Sequence, residues 1–77
     1  MTLSNLVDCL SFNQDIEVFI SDPMSGYLSN RQYYGRKSGI ERDYRFSLLP
    51  LEVDSIELCH YSDRESTIRI TVFTNQW

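Results

Sequence analysis

Tyr27, Tyr33, Tyr34 and Tyr44 interleave with Arg31, Arg36, Lys37, Arg42 and Arg45. Four of the five tyrosines and five of the seven basic residues thus fall within nineteen residues of a 77-residue chain. A guanidinium pairs with carboxylate or phosphate through a planar fork, and a tyrosine stacks on rings or anchors an interface. This composition suits an acidic-aromatic protein surface, a nucleotide or other small anion, or a nucleic-acid strand. The competing reading is that the arginines pair with acids of the same chain and the tyrosines pad a thin core. Tyr33, Tyr34, Arg36 and Lys37 are the leading contact residues of the segment. Arg31, Arg42 and Tyr44 support them, and Tyr27 and Arg45 complete the set.

Other chemistries find less support. Cys59 and His60 are adjacent, so in a strand they point to opposite faces and do not chelate one ion together. No CxxC, HxxxH or HExxH spacing occurs, and no metal or cofactor is expected. His60 is the single histidine, and it reads as a core-edge or hairpin residue. No GxSxG elbow is present and the acids are scattered, so no enzyme is expected. Gly35-Arg36-Lys37-Ser38-Gly39 is not a P-loop. It offers backbone amides and cations to an anion, or it is a solvated turn.

Charge sharpens the contrast. The net charge is −4. Residues 1–22 carry Asp8, Asp15, Glu17 and Asp22 with no base. Residues 31–45 carry the five bases against Glu41 and Asp43. Residues 46–77 return to acid, with Glu52, Asp54, Glu57, Asp63 and Glu65 against Arg64 and Arg69. The protein reads as an acidic body with one basic segment. An acidic body disfavours non-specific binding to nucleic acid, which needs several phosphate-neutralising cations.

The elements that must position these residues fit one domain, residues 1–77. A chain this short buries only roughly 60–65% of its unfolded surface, which excludes a deep cleft between domains. A hydrophobic fraction of 42% with 13% aromatic residues argues against disorder. The apolar runs are too short to span a membrane, and the amino terminus reads as neither a signal nor a transit peptide. Cys9 and Cys59 read as two buried free thiols in a reducing compartment.

Leu3, Leu6, Val7 and Leu10 mark one stripe of a helix over 2–10, with Thr2 or Ser4 as its cap. Ile16–Ile20 reads as a strand ended by Asp22-Pro23, with a turn at Ser25-Gly26. Residues 27–47 read as two weak strands, near Tyr27–Ser29 and Arg31–Tyr34, and a loop around the basic tip Arg36–Ser38. Tyr44–Phe46 is a further short strand candidate, and Leu48–Leu51 an apolar connection or single helical turn. Ser55–Tyr61 and Thr67–Thr74 alternate and are joined by polar residues 62–66, the signature of an antiparallel hairpin.

The expected fold is therefore α+β, a short N-terminal helix packed on an antiparallel β-sheet of about four or five strands, with a C-terminal β-hairpin. Ile16, Val18, Ile20, Ile56, Leu58, Ile68, Ile70 and Val72 should face the helix. Phe19, Cys59, Tyr61 and Phe73 should share the second face. Either residues 27–51 fold over that second face or it is a contact surface.

The order of these pieces carries a resemblance. Thr2–Leu10, Asp15-Ile16-Glu17-Val18, Leu48-Leu49, Glu52-Val53-Asp54-Ser55-Ile56 and Thr67-Ile68-Arg69-Ile70 follow one another in a way that resembles the small accessory proteins of phages and prophages of Firmicutes. That class includes anti-CRISPR and other counter-defence proteins. Residues 22–46 depart from it, being longer and richer in Tyr and Arg, so the site residues rest on this chain's own composition. The resemblance implies a non-catalytic binder in the bacterial cytoplasm that masks a host defence protein stoichiometrically. One alternative is an oligomeric sponge that holds a nucleotide immune signal between subunits through residues 27–45. Another is a structural or regulatory phage protein.

Overall fold

The computed structural model describes residues 1–11, 13–22, 24–60 and 66–74. Helix α1 spans Leu3–Asp8. Thr2 caps it, its hydroxyl accepting the Asn5 N–H at 3.2 Å while the Asn5 side chain accepts the Thr2 N–H at 3.1 Å. This reciprocal pair satisfies two donors that a helix start otherwise leaves open. Leu3 and Val7 are buried, and Leu6 and Leu10 pack partly against the same core, as the stripe requires.

Strand β1, Asp15–Asp22, is central. Two short strands share its outer side: β2, Tyr27–Leu28, and β3, Tyr33–Arg36. Between them Ser29 fills the ladder, its hydroxyl oxygen accepting the Ile20 N–H at 2.9 Å and its own N–H donating to the Ile20 carbonyl at 2.8 Å. The turn into β2 rests on Asp22, whose carboxylate accepts from the Met24 N–H and the Ser25 hydroxyl, and on Gly26 at φ +72°.

Helix α2, Lys37–Asp43, follows β3 directly. Strands β4, Val53–Cys59, and β5, Thr67–Phe73, pair antiparallel with a bulge at Asp54. The fold is α+β with a short N-terminal helix and a five-stranded sheet of order β2-β1-β5-β4, β3 also lying on β1. The sheet is mixed. Its central pair, β1 and β5, runs parallel with Ile16 beside Ile68 and Val18 beside Ile70, while the other pairings are antiparallel. Alternation reveals a strand's faces but not the direction of its neighbour.

Three expectations require correction. The basic stretch 36–38 is not a loop tip: Arg36 ends β3 and directly precedes α2, and Lys37 and Ser38 open the helix. Tyr44–Phe46 lies in the turns after α2 rather than in a strand. Cys9 is exposed and Cys59 half-buried, both as free thiols, because Cys9 sits just past α1 on its outer side. Pro23, Tyr61 and the loop residues 62–65 lie outside the described residues.

The stretch after β3, residues 37–51, settles on the helix side, while 27–36 extend the sheet itself. Ile40, Leu48, Leu49 and Leu51 join Leu3, Val7, Ile16, Val18, Ile70 and Val72 in one buried cluster. Leu3 N–H donates to Leu51 C=O and Ser4 N–H to Leu49 C=O, which stitches α1 to this apolar connection. The cover reaches β1 and β5 and stops there. Ile70 is fully buried, but Ile56 and Leu58 on β4 remain 47% and 62% exposed, against the expectation that they meet the helix.

Candidate functional site

The second face of the sheet contributes no member of the buried apolar cluster, although Glu17, Thr67 and Thr71 on it are buried. Strand register arranges it in rows. Tyr34, Glu17, Arg69 and Glu57 stand side by side across β3, β1, β5 and β4. The next row along β1 holds Phe19, Thr71 and Ser55, and the next Leu28, Ser21 and Phe73.

Glu17 is the pivot. It is only 1% exposed although it lies on the open face. Its carboxylate accepts from Arg69 Nε at 2.8 Å through Oε1 and from Arg31 Nη1 at 3.3 Å through Oε2. A buried carboxylate is strongly disfavoured unless it is paired, and two guanidinium partners meet that requirement. The same arginines are backed by rings: Arg31 Cζ lies 4.5 Å from the Tyr34 ring centroid and Arg69 Cζ 5.2 Å from that of Phe19. Two guanidinium planes are thus fixed in place, with the Arg31 side chain still 49% exposed.

The sequence-selected residues divide between the two sides. Arg31 and Tyr34 belong to the open face, and Arg36, at the end of β3 opposite Asp15, is exposed at its border. Tyr33 points the other way. It packs edge-on against Tyr44, with ring centroids 5.4 Å apart, and its hydroxyl donates to the Arg36 carbonyl. Burial raises the Tyr33 hydroxyl above its ordinary pKa. Lys37 donates through Nζ to the Val7 and Leu10 carbonyls at 3.2 and 3.1 Å, closing the end of α1. Arg42 pairs with Asp43 at 3.1 Å, and this bond raises its already high pKa. Arg45 lies near the Phe46 ring and lines a cleft of about 260 Å³ with Ser4, Asp8 and Glu41. Tyr27 is exposed on β2, opposite Asp22.

Glu17, Arg69 and Phe19 were not among the selected residues. The signal was present, since Glu17 stands between Ile16 and Val18 and Arg69 between Ile68 and Ile70. Opposite charges at the centres of two strongly apolar runs mark strands that meet through those charges. Among the described residues no three metal-binding side chains come together. No helix is long and apolar enough to cross a membrane. Comparison with protein-family models, with curated proteins and with solved structures found no match.

Proposed function

We propose that this protein is a non-catalytic binder that masks a surface of a protein partner, using the open sheet face around Arg31, Tyr34, Arg69 and Phe19. The observation that carries the reading is the cluster of two guanidinium groups, each held by Glu17 and a ring, on the sheet face opposite the core that Ile40 and Leu48–Leu51 complete. Tyrosine and arginine are enriched among the few residues that dominate binding energy at protein interfaces. Here Glu17 and the rings already hold the arginines, so less side-chain freedom is lost on binding. The partner class, a bacterial defence protein, follows from the resemblance to phage accessory proteins.

The test is phage plating on hosts that each carry one defence system, with and without this protein expressed. Restored plating in one host, with the purified defence protein captured at a fixed stoichiometry, supports the reading. Absence of restoration across the panel removes the partner class. The double variant Tyr34→Ala with Arg36→Ala removes neither guanidinium that bonds Glu17 and should lose capture. Retained capture by a folded double variant moves the contact elsewhere.

A further inference from the structure

Strand β4 has β5 on one side. On its other side, among the described residues, it has only the first two residues of its own chain. Thr2 forms an antiparallel bridge with Glu52, and Val53 N–H donates to Met1 C=O at 2.8 Å. The Met1 amino group reaches the Glu52 carboxylate at 3.0 Å. Past Val53 that line of pairing stops, and no described strand lies on the outer side of Ser55–Cys59, opposite β5. A free edge is a template for another strand, and the amino-terminal bridge shows that this edge accepts one in antiparallel sense.

The side chains specify the kind of strand. Ile56 and Leu58 are 47% and 62% exposed on the helix side, beyond the reach of the cover. Glu57 is exposed on the opposite side, and Asp54 adds negative charge at the bulge. We propose that the outer edge of β4 docks an extended segment of a partner protein in which apolar and basic residues alternate. The segment runs antiparallel to β4, in line with Met1 and Thr2. Its apolar side chains cover Ile56 and Leu58, and its lysines or arginines meet Glu57. Charge argues against a second copy of this chain in the register that pairs its two exposed apolar side chains with each other. The two-fold pairing that sets Ile56 against Leu58 also sets Glu57 against its own counterpart, and like charges directly opposite are destabilising. Glu57 ends the row that Tyr34 begins, with β1 and β5 between them, and docking at this edge does not depend on the masking function.

The test is a nuclear magnetic resonance titration of the full chain, labelled with nitrogen-15. The probe is an acetylated, amidated heptapeptide of alternating lysine and valine. A matched glutamate–valine peptide is the control. The expected result is saturable shifts centred on the Ser55–Cys59 amides, with the lysine peptide about tenfold tighter than the control. Leu58→Lys, at an exposed position that does not threaten the fold, should abolish the shifts, and Glu57→Gln should shrink the preference for lysine. Equal binding of the two peptides overturns the proposal. So do shifts centred on Arg31 and Tyr34, or the lack of saturable shifts at millimolar peptide. Concentration-dependent shifts of the β4 amides without peptide would assign the edge to a second copy and overturn it too.

Discussion

Glu17 and Arg69 stand side by side in the parallel β1–β5 ladder, and Arg69 Nε donates to Glu17 Oε1 at 2.8 Å. Among the described strands the contact joins the one adjacent pair that is hydrogen-bonded in parallel. Arg31 holds the other carboxylate oxygen from the far side of β1, with longer geometry and a more exposed side chain. The two partners should therefore differ in worth. Arg69→Met should destabilise the fold by about 2–3 kcal/mol, since it removes the shorter of the two described guanidinium bonds to a buried carboxylate. Arg31→Met should cost about 1 kcal/mol or less. Urea unfolding of both variants measures the difference, and equal costs would mean that Arg69 does not dominate the pairing.

Gly39 is required by Tyr33. A Cβ at residue 39 would meet the Tyr33 hydroxyl oxygen inside contact distance, while the ring carbons behind it stay at 3.4 and 3.6 Å. Gly39→Ala should destabilise the protein by about 1–3 kcal/mol despite alanine's better helix propensity. In a Tyr33→Phe background the same change should cost at least about 1 kcal/mol less, because the obstructing oxygen is gone. A double-mutant cycle reads this coupling directly. Additive costs would show that the clash is relieved by other means.

Tyr33 also sets an alkaline limit. Burial is the largest cause of its raised pKa, ahead of a backbone hydrogen bond at Ile40 that lowers it. The unfolded chain then loses this proton before the folded chain does. Stability from the neutral hydroxyl is complete below the ordinary value of 10.0 and is lost as pH rises through the higher folded value. Unfolding midpoints should fall above about pH 10, and Tyr33→Phe should remove that part of the fall. A slope unchanged in Tyr33→Phe would assign the effect to another group.

Lys37 serves α1 rather than a ligand in this structure. Its ammonium bonds two carbonyls at the end of a six-residue helix too short to persist alone. Lys37→Met keeps the stem and removes the donors. It should cost about 0.5–1 kcal/mol and speed amide exchange in Leu6–Leu10 more than in β1. Uniform exchange changes would show that the lysine supports the whole fold and not the helix end.

The order of side chains determined the faces. Leu3 and Val7 lie one helical turn apart, Ile16 and Val18 alternate with Glu17, and Ile68 and Ile70 alternate with Arg69, so these elements and their buried sides were legible as periods. Periodicity is a local property and survives in a single sequence. Helix α2 was not legible, because Lys37-Ser38-Gly39 reads as a turn; packing of Ile40 into the core overrides the weak propensity of that stretch.

What the sheet does with those faces is a long-range matter. Tyr33 and Tyr34 are neighbours with the same chemistry, yet one packs on Tyr44 and the other lies under Arg31, because successive residues of β3 point to opposite faces of the sheet. Ile56 and Ile70 have equivalent places in their alternating runs, yet one is half-exposed and the other buried, because the cover ends at β5. Glu17 finds Arg69 fifty-two residues away only when β1 and β5 align in parallel. The chain's own residue order thus determined which side of each element is apolar. Strand order, strand direction and the extent of the helical cover decided which of those sides are buried, since each depends on contacts between residues distant in sequence.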